Sequence, residues 1–177
     1  YRWAQGNAED LRMIPGRIGV GGDSAGGYLS AVVAQEAKRE GFEAPALQLL
    51  IYPVTDWGWK GGSMESCANV YPLTAEIMEW FGAHYLNAAS EKDDVRVSPM
   101  KEADLSGLAP AIIVTAGFDP LRDQGAAYAE KLKAAGVSVA YSCEDSLPHA
   151  FTAMTGVIPA ANAACERIAR DIGAALR

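Results

Sequence analysis

The stretch Arg17–Glu40, RIGVGGDSAGGYLSAVVAQEAKRE, limits what this chain can fold into more than any other part of it. It reads as a short apolar strand over Arg17–Gly21, a serine flanked by glycines, and a helix to Arg39 that Gly41 is placed to end. Gly22-Asp23-Ser24-Ala25-Gly26 fits G-x-S-x-G, the pattern of a sharp strand-to-helix turn that lifts a serine hydroxyl out of a sheet. The serine of such a turn has a strained backbone. Side chains two residues to either side would collide across it, which accounts for the glycines. A helix starting at Ala25 aims free N–H groups and its positive dipole end at the hydroxyl, where negative charge develops in acyl transfer. The motif alone is weak, because glycine and serine are common; the strand before it and the helix after it give it meaning.

The rest of the chain repeats the same alternation. Residues 1–13 read as a helix, and Pro15-Gly16 breaks it ahead of the first strand. Ala46–Tyr52 (ALQLLIY) and Ala111–Ala116 (AIIVTA) are continuous apolar runs, as strands covered on both faces read. Pro53 to Pro72 is irregular and holds Trp57 and Trp59. Thr74 caps a helix to about Leu86 with a buried stripe of Ile77, Met78, Phe81 and Tyr85. Asn87 to Pro110 is a polar surface connection. A helix over Leu121–Ala135 stops at Gly136, a fourth strand covers Val137–Ser142, and Pro159 opens a terminal helix. Strands alternating with helices predict an α/β fold with a parallel sheet, and 177 residues suit a single domain, 1–177.

Composition removes several function classes. The net charge is −7, from 15 basic and 22 acidic residues without a basic cluster, so neither nucleic acid nor an anionic membrane surface is an expected partner. No apolar run approaches the roughly 20 residues that span a bilayer. Cys67, Cys143 and Cys165 are too scattered for a disulfide framework or a zinc site; they suggest a reducing, cytoplasmic setting.

Ser24 needs a base within hydrogen-bond reach and a carboxylate to orient that base. The chain has two histidines. His84 falls on or beside the apolar stripe of its helix and reads as a packing or surface residue, whereas His149 follows the fourth strand, at the end where open α/β sheets place ligands. For the acid, Asp119 stands just past the third strand, and Pro120 suits the turn that would present it. Asp123 reads instead as a helix-start acid and Asp145 as a solvated loop residue. Trp57 and Trp59 are either lining for an acyl or alcohol group or aromatics that pack their own loop.

These segments together resemble the hormone-sensitive-lipase-like, bacterial family IV carboxylesterases of the α/β-hydrolase fold. The resemblance is carried in order by GDSAGG at 22–27, LLIYPVTD at 49–56, YPLTAEIMEWF…HYL at 71–86, SPM at 98–100, AGFDPLRD at 116–123 and PHAF at 148–151. It implies the C-terminal part of the fold: about four parallel strands with flanking helices, the N-terminal strands and cap missing. It implies Ser24 as nucleophile, Asp119 as acid, His149 as base and the N–H of Ala25 as an oxyanion donor. The implied activity is hydrolysis of short- to medium-acyl esters, with a small-molecule ester as partner and no cofactor or metal. The family more often has glycine where this chain has Ala150.

The family also carries, ahead of the serine turn, an HGGG segment that completes the oxyanion hole, and nothing in residues 1–16 resembles it. Loss of such a donor lowers rates by about 10²–10³. A catalytically impaired fragment, or a non-catalytic member of the fold, is therefore the alternative reading; an amidase or peptidase would use the same three residues. Without earlier strands, Arg17–Gly21 would be a sheet edge with unpaired backbone groups, so association with a second copy or with a missing N-terminal segment is expected.

Overall fold

Apolar runs with no alternation become strands here because helices and loops cover both faces of one sheet. The computed structural model describes residues 1–177. Its elements are α1 (Arg2–Gly6), β1 (Val20–Asp23), α2 (Ala25–Glu40), β2 (Gln48–Ile51), α3 (Ser63–Ser66), α4 (Ala75–Tyr85), β3 (Ala111–Phe118), α5 (Arg122–Ala134), β4 (Val139–Pro148) and α6 (Pro159–Ala175), with short 3-10 turns between. The strands lie in the order β1-β2-β3-β4 and every neighbouring pair is parallel. Four parallel strands with flanking helices are what the resemblance implies.

The period of two along β3 sorts its side chains between two cores. Ile112, Val114 and Ala116 face a cluster with Ile51, Phe151 and the α6 residues Ala161, Ala164 and Ile168. Ala111 and Ile113 face the other way, onto Leu50, Ala31 of α2 and Tyr128, Ala129 and Leu132 of α5. Alanines at the α2 and α6 contacts let both helices approach the sheet closely. None of the helices is long and apolar enough to cross a membrane.

The structure departs from the sequence reading at several elements. The expected helix over 1–13 ends at Gly6 and continues as turns, since Trp3 and Leu11 stay exposed and give it no core to join. The first strand is Val20–Asp23 rather than Arg17–Gly21. In α4 only Met78 of the expected stripe is buried; Phe81 and Tyr85 are about half exposed, although Tyr85 is partly covered by Trp57 and Tyr28. The 87–110 connection is not purely a surface loop: Ser98, Pro99, Leu105 and Leu108 are buried against the α2–α5 side of the sheet. Finally, β4 runs on to Pro148.

That extension matters for the site, because β3 and β4 change register between Ala116 and Phe118. Gly117 sits at this irregularity, and a Cβ there would lie 2.1 Å from the carbonyl oxygen of Asp145. Backbone cannot yield as a flexible side chain can. Gly117→Ala is therefore expected to lower unfolding free energy in urea by about 1–3 kcal/mol or more; an unchanged midpoint would mean that the two strands part freely.

Candidate active site

The β1–α2 turn carries Ser24 at φ 53° and ψ −116°, a left-handed conformation that costs energy for any residue with a Cβ. Its N–H bonds the Ile51 carbonyl at 2.8 Å and its own carbonyl accepts from the Tyr28 N–H at 3.0 Å, so both neighbouring elements hold the strained residue. The crowding expected at both glycines proves one-sided. A Cβ on Gly22 would fall 2.6 Å from the Gly26 carbonyl carbon, whereas one on Gly26 meets nothing within 4 Å. The first turn of α2 folds over Gly22, while Gly26 faces open space. The N–H of Ala25, in the first turn of α2, donates to no backbone carbonyl and is free to meet an oxyanion.

Asp119 follows β3 directly and is wholly buried. One of its oxygens accepts the Leu121 N–H at 2.8 Å. Pro120, between them, has no N–H to compete, and the local bond leaves the second oxygen free to turn inward. That oxygen lies 2.7 Å from Nδ1 of His149, the residue directly after β4. Nε2 of the same ring lies 3.0 Å from Oγ of Ser24. A carboxylate only accepts, so Nδ1–H donates to Asp119, and Nε2 is left to accept from the serine hydroxyl. His149 is 6% exposed and its bond to Asp119 is buried, while its bond to Ser24 is only partly so.

The structure thus brings Ser24, His149 and Asp119 into one hydrogen-bonded chain. The other candidates bond elsewhere. His84 is exposed on α4, with Nδ1 2.8 Å from the Trp80 carbonyl and its ring against that indole. Asp123 accepts the Ser63 N–H at 2.7 Å and Arg122 Nε at 2.8 Å. Burial works against its charge, yet Arg122 and Ser63 outweigh that and hold its carboxyl below the usual range. Asp145 is exposed, but within β4 rather than on a loop.

Trp57 stacks on Tyr85 at a centroid distance of 5.6 Å. With Trp59, Met64, Met78 and Leu86 it lines a cavity of about 680 Å³ to which Ser24, Asp119 and His149 contribute nothing. Both tryptophans thus line a cavity apart from these three residues, and Trp57 packs on α4. The sequence reading passed over Tyr52, whose ring lies 4.6 Å from the His149 ring. As the last residue of an apolar run it carries no signal of its own; the Pro53 after it marks only the end of the strand.

Residues 1–153 match the α/β-hydrolase-fold family. The chain is 47% identical over 157 residues to the carboxylic ester hydrolase LipN of Mycobacterium tuberculosis, covering 85% of this chain and 42% of LipN. It is 38% identical over 164 residues to the ethyl acetate hydrolase of Pseudomonas putida, covering 92% of this chain and 51% of that one. Among solved structures, the thermostable carboxylesterase EstE1 from a metagenomic library superposes with a TM-score of 0.94 at 38% identity, covering 99% of this chain and 60% of that one. The chain spans about half the length of the curated relatives it matches.

The one-sided crowding of the turn has a measurable consequence. Gly22→Ala is expected to destabilise the fold by more than about 2 kcal/mol, because only backbone stands in the way. Gly26→Ala removes a helix glycine and should be neutral or stabilising by up to about 1 kcal/mol. Paired urea titrations check this; equal losses in the two variants would contradict the geometry.

Proposed function

The chain belongs to the α/β-hydrolase-fold family, in its hormone-sensitive-lipase-like carboxylesterase branch, and on that premise we propose that it is a serine carboxylester hydrolase working through an acyl-enzyme. The observation that supports this most directly is the run of bonds from Asp119 through His149 to Ser24, at 2.7 and 3.0 Å. His149 removes the proton of Ser24 as Oγ attacks the ester carbonyl, and the imidazolium that forms is stabilised by the buried carboxylate of Asp119. The tetrahedral oxyanion takes the N–H of Ala25, at the positive end of α2. His149 then returns its proton to the leaving alcohol. Water, deprotonated by the same imidazole, clears the acyl group from Ser24.

The substrates are esters of short- to medium-chain acids. This rests on the family resemblance and on the names of two relatives, an ethyl acetate hydrolase and a carboxylesterase. A chain-length series of p-nitrophenyl esters tests it, with the highest kcat/KM expected at the short end.

The roles are tested by substitution. Ser24→Ala is expected to abolish both p-nitrophenyl acetate hydrolysis and covalent labelling by a phosphonate probe. Asp119→Asn keeps the shape but loses the carboxylate that sets the tautomer, so kcat should fall by about 10⁴. Hydrolysis that survives Ser24→Ala would remove Ser24 as nucleophile. A matched ester and amide pair separates esterase from amidase chemistry.

A further inference from the structure

We propose that Tyr52 is a positioning residue for His149: its ring braces the imidazole, and its hydroxyl ties the turn that carries His149 to the turn that carries Ser24. This rests on the reading of His149 as the base, and it adds a fourth member to that site.

Four residues begin immediately where the four strands end. Ser24 follows Asp23 of β1, Tyr52 follows Ile51 of β2, Asp119 follows Phe118 of β3 and His149 follows Pro148 of β4. Three of them form the hydrogen-bonded chain, and Tyr52 is the one left over. It is wholly buried, with its ring between two others: His149 at 4.6 Å and Phe151 at 5.2 Å, the latter edge-on. The imidazole therefore meets a rigid aromatic wall, whereas an aliphatic side chain there would leave its plane free to turn about χ2.

The phenol is engaged at both ends of this connection. It donates to a carboxylate oxygen of Asp23 at 3.1 Å, the residue before Ser24. It also shares a hydrogen bond with the hydroxyl of Thr152, three residues after His149. Since the phenol proton goes to the carboxylate, Thr152 donates to the phenol oxygen. Burial, reinforced by the nearby Asp23 charge, pushes the phenol up well beyond its ordinary range, so it remains a donor throughout the working pH of an esterase.

The backbone points the same way. Tyr52 has φ 37°, unusual for a residue with a large side chain, and its N–H bonds the Val114 carbonyl at 2.6 Å. The residues after it are pinned. Pro53 packs close to Gly27 of α2 and Gly125 of α5, and the N–H groups of Thr55 and Asp56 both donate to the side-chain oxygen of Gln124, at 2.6 and 2.9 Å. Strain held by so many contacts at a strand end beside the reacting groups is the pattern of a functional position.

The two histidines make the test clean, since His84→Gln leaves His149 as the single imidazole in the chain. Long-range ¹H–¹⁵N correlation then reports which ring nitrogen of His149 carries the proton, and labelling of Ser24 by a phosphonate reports kinact and KI separately. In the parent, His149 should be held as the Nδ1–H tautomer. Tyr52→Leu is expected to yield a tautomer mixture and lower kinact about a hundredfold with KI unchanged; Tyr52→Phe, which keeps the ring, should lower it about tenfold. Thr152→Val should behave like Tyr52→Phe, and Thr152→Ser should restore the parent rate. Should Tyr52→Leu fold poorly, Tyr52→Phe and the Thr152 pair carry the test. Parent values of kinact and an unchanged Nδ1–H tautomer in Tyr52→Phe and Thr152→Val would overturn the proposal. The nitrogen measurement reads His149 even if Ser24 proves not to be the nucleophile, so failure of that assignment and failure of this one give different results.

Discussion

The site depends on the parallel register of four strands, because that register is what makes distant residues neighbours. Asp23 pairs with Ile51, Ile51 with Val114, and Val114 with Ser142, so the C-terminal ends of β1 and β2 are level. From there β3 and β4 run on together until Phe118 pairs with Pro148. The longer pair overhangs the shorter one, and of its two following residues Asp119 bonds His149 at 2.7 Å while His149 reaches back to Ser24 at 3.0 Å. A shift of one residue in any strand would turn these side chains to the opposite face. Gly117 is therefore part of the site although it carries no chemistry: the irregularity it permits sets where β4 ends.

Strain collects at the same rim. Of the residues other than glycine with positive φ, Ser24, Tyr52 and Ala150 adjoin the hydrogen-bonded chain. Ala150 is the one small departure from the family pattern, which more often has glycine at this position of PHAF. Its φ of 60° and ψ of 24° are left-handed, where glycine is at no disadvantage and alanine costs roughly 1–2 kcal/mol. Glycine would remove that cost but add backbone entropy to the unfolded chain, about 0.4–1 kcal/mol. The second term offsets about half of the first. Alanine is therefore tolerated there, with His149 still in contact with both of its partners.

How much of this was legible in the sequence depended on whether a residue's signal was local. β2 and β3 were plain because a strand buried on both faces needs an apolar residue at nearly every position. The grouping of Ser24, Asp119 and His149 was legible because each stands at a strand-end turn marked by glycine or proline. Tyr52 was not, since its ring completes the apolar run ALQLLIY and its hydroxyl acts only across chain separations of 29 and 100 residues. The stripe on α4 misled for the opposite reason. Periodicity identifies an apolar face but is silent about what lies against it, and Phe81 and Tyr85 remain half exposed. The 87–110 segment looked like surface because its few buried residues, Leu105 and Leu108 among them, follow no period.

The electrostatics of the rim follow from which partners the charges already have. Asp119 is buried with no cation beside it: one oxygen is held by the Leu121 N–H and the other by His149. The guanidinium of Arg122, three residues on, is engaged by Asp123 at 2.8 Å and by the Gly117 carbonyl at 3.0 Å. A buried carboxylate paired with a permanent cation would gain little when the neighbouring imidazole took up a proton. Paired only with neutral donors, its charge stays available for the imidazolium of the proposed reaction, where the low dielectric of a closed site strengthens the attraction. Asp123 thus occupies Arg122 and holds the first N–H of α3.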